Sequence, residues 1–158
     1  MELLKGFKNA PSAENTRAIH GAVFNFLAMG KETNDHHALI KITVERGAEP
    51  PKHKHTREDE AYYILKGSIR YTIGDDVITV NQGEYVYLPK NVPHSFSVQS
   101  DKAEVLMWLS PAGLEQWFWD NSTPSANGQA LAAPNGPPPA HVIDHFVRSL
   151  REYGVEVS

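Results

Sequence analysis

Hydrophobic and polar side chains alternate along much of this chain with a period of two, which is the pattern of β-strands that bury one face. The alternation is clearest over residues 40–45 and 69–73. Gly74, Asp75 and Asp76 follow the second segment and predict a tight hairpin turn. Short apolar or aromatic runs between turn residues predict further strands over 77–80, 85–88, 94–98 and 105–109.

The fold class follows from these short strands. Residues 61–65 are apolar at every position, so they predict a strand with both faces buried. Many short strands separated by turns predict an all-β sandwich or barrel. We expect residues 1–158 to form a single domain, with the barrel core over about 18–110 and a helical, proline-rich extension over 111–158.

The pattern changes after the last predicted strand. Ser110 and Pro111 predict a helix N-cap and the first helical residue, which would open a short helix through 113–119. Residues 121–140 are rich in Pro, Gly, Ala and Ser, and they predict a loop.

A final helix is predicted over 142–150, where apolar residues recur at helical spacing, and Gly154 is well placed to end it. His141 and His145 lie four residues apart on this helix, with Asp144 beside them. Such a pair can chelate zinc, but two ligands alone bind weakly. We therefore interpret these side chains as the polar surface of an amphipathic helix.

Composition narrows the classes of function. The formal charge of -4 and the pI near 6.0 give no electrostatic reason to bind nucleic acid or an anionic membrane, so neither partner is expected. The chain has no cysteine, so nitrogen and oxygen atoms must hold any metal. The first residues lack the apolar run of a signal peptide, and no segment reaches the roughly 18 apolar residues of a membrane span. A cytoplasmic location is expected.

Three histidines and a carboxylate carry the strongest chemical signal. One residue separates His53 from His55, so on a strand both imidazoles leave the same face and can bind one ion. A helical site would need a spacing of four, and the adjacent Pro50-Pro51 disfavours a helix. With His94 and one acidic residue, this set suits a divalent transition metal ion, namely Fe, Mn, Ni, Co, Cu or Zn.

The carboxylate ligand is not determined by spacing alone, because Glu58, Asp59 and Glu60 all lie in the segment after His55. Four protein ligands would leave up to two open positions in an octahedral shell, and open positions are what a catalytic metal needs. The site therefore favours an enzyme over a purely structural metal centre.

The order of these residues resembles the first motif of the cupin superfamily. That motif is a glycine, five residues, His-x-His, three or four residues, Glu, six residues and Gly. It is matched at all five positions, by Gly47, His53, His55, Glu60 and Gly67. The resemblance selects Glu60 as the carboxylate ligand and leaves Glu58 and Asp59 as expected solvated turn residues.

The second cupin motif is also recognisable, at Gly83, Pro89 and His94. Asn91 stands where the family has glycine, and asparagine tolerates the left-handed backbone conformation. Val98 replaces the final asparagine of the motif. The resemblance implies a double-stranded β-helix, the jelly-roll barrel of cupins, with one divalent ion per chain on His53, His55, Glu60 and His94.

A finer resemblance concerns the segment after the barrel. Ser110-Pro111-Ala112-Gly113, the aromatic helix and the proline-rich tail resemble small bacterial cupins grouped with quercetin 2,3-dioxygenases. This implies that a flavonol or related aromatic enol and dioxygen meet at the metal, with Glu60 also acting as a catalytic base. A homodimer is expected as well, because cupin barrels often share edge strands between subunits.

Two alternatives stay open. An isomerase or lyase of a small sugar or keto acid would use the metal only as a Lewis acid, and its pocket should be polar. A non-catalytic cupin that binds a small molecule is the other. No basic helix-turn-helix segment accompanies the barrel, which disfavours a DNA-linked regulator.

The substrate pocket is predicted from large side chains on inner strand faces and on the aromatic helix: Phe24, Phe26, Tyr62, Phe96, Met107, Trp117 and Phe118. Three adjacent aromatic residues, Trp117 to Trp119, cannot all face one core. They predict a dimer interface, packing of the helix on the barrel, or a substrate lid. The remaining histidines lack partner spacing and are not expected to be ligands; they are His20, His36 and His37.

Overall fold

The structure is a computed structural model that describes residues 4–129 and 138–158. Its strands are β1 Thr16–Ile19, β2 Ala22–Ala28, β3 Ala38–Glu45, β4 His53–His55, β5 Asp59–Lys66, β6 Ser68–Ile73, β7 Asp76–Asn81, β8 Tyr85–Leu88, β9 His94–Val98, β10 Lys102–Ser110, β11 Thr123–Pro124 and β12 Val155–Val157. Its helices are α1 Gly30–Thr33, α2 Glu115–Asp120 and α3 Ala140–Glu152, and a 3-10 helix covers Ala13–Asn15.

The strands form two antiparallel sheets whose inner faces share one hydrophobic core. The larger sheet has the order β11-β1-β2-β3-β10-β5-β8, and the smaller has the order β12-β4-β9-β6-β7. The crossovers between sheets produce the predicted jelly-roll barrel. No helix within residues 4–129 and 138–158 is both long and apolar enough to cross a membrane.

The predicted alternation is confirmed on the central strands. In β3 the residues from Ala38 to Val44 alternate between buried and half-buried positions, as the sequence pattern requires. The hairpin between β6 and β7 is also confirmed, since Ile73 pairs with Asp76 across the turn. The other strands predicted over 77–80, 85–88, 94–98 and 105–109 lie in β7, β8, β9 and β10.

One strand differs from its prediction. Residues 61–65 lie in β5, but Tyr63 is exposed and Leu65 is half-buried, so only one face of this strand is in the core. The physical reason is the two-sheet architecture, in which the outer face of each sheet points away from the core. The exposed Tyr63 faces the same side as Tyr85, its partner on β8.

The predicted N-cap is wrong by four residues. Ser110 ends β10, paired with Asp59, and its hydroxyl donates a hydrogen bond to the carbonyl of His36. The N-cap of α2 is Leu114 instead. The strand register and the His36 contact hold Ser110 in extended structure, so it cannot begin the helix.

The C-terminal region contains an element that the sequence pattern did not predict. The predicted final helix is α3, and Gly154 follows it with a φ of +82°, as expected for a residue that ends a helix. After Gly154 the chain enters β12, which pairs with β4. The predicted loop over 121–140 contains the short strand β11, and its residues 130–137 lie outside the described residues.

Candidate metal centre

Three strands from both sheets bring the predicted metal ligands together. His53 and His55 lie on β4, and His94 lies on the adjacent β9, directly opposite His53. Glu60 lies near the start of β5 in the facing sheet. The spacing of two residues between the first pair therefore works as predicted, because both imidazoles leave β4 on its inner face.

The four side chains form a compact cluster. Each offers one ligand atom, and these atoms all lie within 4.8 Å of one another. Glu60 Oε2 is 3.2 Å from His94 Nε2 and 3.8 Å from His55 Nε2. His53 is half-buried and the other three residues are buried. Such a set of three nitrogens and one oxygen is appropriate for a first-row transition metal ion.

The unpaired nitrogen atoms indicate that the cluster fits a metal ion. His55 Nε2 and His94 Nε2 are both buried, and neither has a partner with hydrogen-bond geometry within the described part of the chain, although Glu60 Oε2 lies 3.2 Å from His94 Nε2. A buried polar atom without a partner is costly, so such atoms are rare in folded proteins. A cation between these nitrogens and the Glu60 carboxylate would satisfy them.

The other ring nitrogen of each histidine is held in place. His53 Nδ1 is 2.8 Å from the carbonyl oxygen of Pro51, and His94 Nδ1 is 3.2 Å from that of Val92. Because a carbonyl can only accept, these contacts place the proton on Nδ1. The Nε2 atoms are thereby free to act as metal ligands.

Glu58 corrects one prediction from the sequence. It was expected to be a solvated turn residue, but it is only 3% exposed, and its Oε1 lies 2.7 Å from His55 Nδ1. Asp59 is half-buried, and its carboxylate accepts a hydrogen bond from the backbone N–H of Lys90. The turn after His55 folds inward because these contacts satisfy its acidic groups, which a charge count along the sequence cannot show.

The charges of the cluster are strongly coupled. Burial alone would raise the pKa of Glu60, but His55, His94 and His53 lower it to about 2. Burial opposes protonation of His55, yet the carboxylates of Glu60 and Glu58 raise its pKa. Burial lowers the pKa of His53. At neutral pH Glu60 is therefore an anion that needs no deprotonation before it can bind a cation.

Metal affinity is expected to increase with pH beyond the ordinary titration range of histidine. Since the nearby carboxylates raise the pKa of His55, Nε2 keeps its proton to a higher pH than an ordinary histidine does, and a bound ion must displace that proton. Glu60 contributes no such dependence until the pH falls toward about 2. Competition titrations with Co²⁺ between about pH 6 and about pH 8 should show affinity rising up to about tenfold per pH unit for one released proton. A flat profile above about pH 6.5 would contradict this assignment.

A large cavity adjoins the cluster. Its volume is about 850 Å³, and His53, His55 and Glu60 lie in its wall. Most of the remaining wall is apolar and comes from the α2 region, from α3 and from β12: Leu114, Trp117, Phe118, Ile143, Phe146, Val147, Leu150, Val155 and Val157. This volume lies within the usual range for small-molecule sites.

The predicted pocket residues divide into two groups. Tyr62, Trp117 and Phe118 line the cavity. The other four do not line it; Phe24, Phe26 and Met107 are buried in the core, and Phe96 packs beside Tyr62 and Tyr71. Strand parity identified residues that face the barrel interior. It could not show which of them pack in the hydrophobic core and which line the cavity.

The aromatic helix packs on the barrel and on α3. Trp117 is buried against Phe146, and its indole N–H donates to the hydroxyl of Ser149. Phe118 stacks on Phe24 at a centroid distance of 5.3 Å, and Trp119 and Phe26 meet in a T-shaped arrangement at 5.0 Å. The three aromatic residues therefore point to different neighbours, and packing of the helix on the barrel accounts for them.

Outside the cluster, three charged residues lie in the cavity wall, namely Glu45, Arg46 and Glu49, and backbone groups engage the last two. Arg46 donates to the backbone carbonyls of Ser100 and Gln99. Glu49 accepts hydrogen bonds from the backbone N–H groups of Gly47 and Val98. Neither is free to hold an oppositely charged substrate, and the cavity presents a mainly apolar surface beside the histidine cluster.

The remaining sequence features also have clear positions. Asn91 adopts a φ of +65°, which confirms the left-handed conformation predicted at this position, where the cupin motif has glycine. His20 lines the cavity but lies outside the cluster of potential ligands. His141 and His145 are exposed on α3, and neither belongs to a group of potential metal ligands in the described residues.

Comparisons with known proteins agree with this geometry. Residues 40–110 match the family model described as a cupin domain. The chain is 26% identical over 98 residues to quercetin 2,3-dioxygenase from Bacillus subtilis, covering 61% of this chain but only 29% of that protein. The chain thus spans less than a third of the length of this relative.

Two solved structures share the fold. An RmlC-like cupin from Shewanella frigidimarina superposes with a TM-score of 0.59 at 17% identity, covering 72% of this chain and 99% of that one. A nucleoside dehydratase from Streptomyces superposes with a TM-score of 0.56 at 18% identity, covering 70% and 88% of the two chains. At this level of identity the likeness concerns the fold alone.

Proposed function

We propose that this chain, which belongs to the cupin superfamily, is a metal-dependent dioxygenase of the quercetin 2,3-dioxygenase-like type that acts on a flavonol or a related aromatic enol. The observation that carries the proposal is the position of His53, His55 and Glu60, three of the four residues of the cluster, in the wall of a mainly apolar cavity of about 850 Å³. Such a cavity suits an uncharged aromatic molecule, while the cluster suits a redox-capable ion.

The proposed metal ligands are His53, His55, Glu60 and His94. A divalent first-row ion bound there would supply Lewis acidity toward an enolate oxygen and electron exchange with dioxygen. The chain contributes the Nε2 atoms of its histidines, the ionised Glu60 carboxylate and a largely apolar enclosure that limits access of water.

Glu60 is proposed as the base that accepts the proton of the enol hydroxyl. Its Oε1 accepts a hydrogen bond from the Tyr62 hydroxyl at 3.0 Å, which fixes the orientation of the carboxylate. Burial and the nearby Glu60 charge raise the pKa of Tyr62 well above its usual range, so Tyr62 stays a donor. A positioned carboxylate of this kind can take up a proton if the substrate hydroxyl lies within hydrogen-bond reach.

The substrate class is supported by the cavity wall. Phe146, Val147 and Leu150 of α3 line the apolar part of the cavity together with Trp117 and Phe118 of α2, and Trp117 contacts Phe146 directly. A planar aromatic ligand would pack against this shared apolar surface with its oxygen atoms toward the histidines. A sugar or keto acid would leave its polar groups unpaired against these walls, which disfavours the isomerase or lyase alternative.

The test is elemental analysis of freshly purified protein, followed by oxygen uptake with quercetin after reconstitution with Fe, Mn, Co, Ni or Cu. We expect near one ion per chain and oxygen consumption that depends on quercetin. Bound metal without oxygen uptake, across flavonols and simple aromatic enols, would overturn the dioxygenase and favour the isomerase or lyase class. Protein that retains no metal would favour a binding module.

Phe146→Ala is expected to weaken quercetin binding by about fivefold, because loss of an aromatic contact costs about 1 kcal/mol. Quenching of tryptophan fluorescence in the metal-free protein measures this binding, and Trp117 in the cavity wall provides the signal. Arg148→Ala is the matched control, since Arg148 is exposed on the same helix. Equal affinity in the wild type and both variants would place the ligand elsewhere.

A further inference from the structure

Glu58 is a buried carboxylate that the cupin motif does not use. It follows β4 by three residues and is 3% exposed, although its neighbours Arg57 and Asp59 are more accessible. An ionised carboxylate is costly to bury unless another group compensates its charge. Within residues 4–129 and 138–158, its ion-pair partner is His55.

The contact between Glu58 and His55 is short and shielded from solvent. Glu58 Oε1 lies 2.7 Å from His55 Nδ1, and both side chains are 3% exposed. An ionised carboxylate only accepts, so His55 Nδ1 carries the proton. This leaves Nε2 as the ligand atom, and Nε2 is the buried atom that lacks a hydrogen-bond partner.

His55 differs in this respect from the other two histidines. His53 and His94 direct Nδ1 toward backbone carbonyls, at 2.8 Å and 3.2 Å. A hydrogen bond to a carboxylate is charge-assisted and stronger than one to a neutral carbonyl. It also makes the imidazole more basic, so the Nε2 of His55 should be the strongest nitrogen donor of the cluster.

The charge of Glu58 matters as well as its hydrogen bond. Glu60 and Glu58 bring two negative charges into a buried site that otherwise contains three imidazoles. A divalent ion with three neutral histidines would make the complete site electrically neutral. Without Glu58 the same site would hold a net positive charge in a region of low dielectric, which is unfavourable.

We infer that Glu58 is a positioning residue of the metal centre, which holds His55 in the Nδ1–H tautomer and supplies the second negative charge that balances a divalent ion. The inference concerns metal binding whatever reaction the site performs, so it goes beyond the proposed dioxygenase activity. It also predicts preference for divalent over monovalent cations.

The test compares Glu58→Gln with Glu58→Leu. Gln keeps an acceptor oxygen but removes the charge, while Leu removes both. We expect the dissociation constant for Zn²⁺, measured by competition with a chromophoric chelator, to rise by about tenfold in Glu58→Gln and by up to about 100-fold in Glu58→Leu. Glu115→Gln is the matched control, because Glu115 is an equally buried carboxylate that accepts from the backbone N–H of Gly30, outside the cavity wall.

A second readout needs no metal. In the metal-free protein above about pH 9, the ¹⁵N shifts of His55 should report the Nδ1–H tautomer in the wild type and a mixture of tautomers in Glu58→Leu. If Glu58→Leu does not fold, loss of affinity and a shifted tautomer balance in Glu58→Gln still support the inference. Unchanged affinity together with an unchanged tautomer in Glu58→Gln would overturn it. Oxygen uptake enters neither measurement, so failure of the proposed dioxygenase would be seen separately.

Discussion

His94→Ala is expected to reduce bound metal from about one ion per chain to nearly none, while the barrel remains folded. His94 lies on β9 opposite His53, and its buried Nε2 is 3.2 Å from the Glu60 carboxylate. Removing it leaves two histidines on one strand, and a site with fewer ligands binds an ion much more weakly. Elemental analysis after dialysis measures the stoichiometry, and His55→Ala should give the same loss.

The matched control for this loss is His20→Ala. His20 lines the same cavity but does not belong to the ligand cluster, so its replacement should leave the metal content unchanged. Circular dichroism establishes that each variant keeps its β structure. Full metal content in both His94→Ala and His55→Ala would show that the ion binds at a different place.

The four candidate ligands could be identified from the sequence because strand parity paired two of them and the resemblance to the cupin motifs supplied the other two. The pair His53 and His55 shares one face of any strand, and the cupin spacing then added Glu60 and His94. The structure brings all four side chains together. Local rules were sufficient for these residues, since each lies on a strand at a position that one of the two short motifs determines.

Glu58 could not be predicted in the same way. Its inward orientation depends on the turn between β4 and β5 and on a contact with His55, and neither is a periodic feature. Three consecutive acidic residues look solvated in a sequence because charged groups are mostly exposed. A histidine followed three residues later by an acid was the available signal, and it suggests a carboxylate beside a metal ligand.

The C-terminal residues show a second limit of sequence reasoning. The segment Val155–Val157 is short, follows a helix and pairs with β4, which lies about 100 residues earlier in the chain. Such a distant pairing leaves no local pattern. It nevertheless matters for the site, because β12 lies beside the strand that carries His53 and His55 and continues the apolar wall formed by α3.

Glu60→Gln is expected to lower quercetin-dependent oxygen uptake by about 10²-fold to 10⁴-fold, the usual contribution of a positioned general base. The amide cannot accept the proton of the enol hydroxyl, and it removes one negative charge from the cluster. The pKa of Glu60 is about 2, so the wild-type carboxylate is ionised throughout the neutral range. Protonation of Glu60 should therefore lower the activity only at strongly acidic pH. Steady-state oxygen uptake at saturating metal measures the effect.

Loss of metal and loss of the base must be separated in this variant, because Glu60 is proposed to do both. The metal content of each sample is therefore measured, and the rate is expressed per bound ion. Tyr62→Phe is the comparison, since it removes the hydrogen bond to Glu60 Oε1 but leaves the carboxylate in place. We expect Tyr62→Phe to keep most of its rate per ion. If Glu60→Gln also kept the wild-type rate per ion, Glu60 would be a metal ligand without a role as base, and proton transfer would have to involve a different group in the cavity.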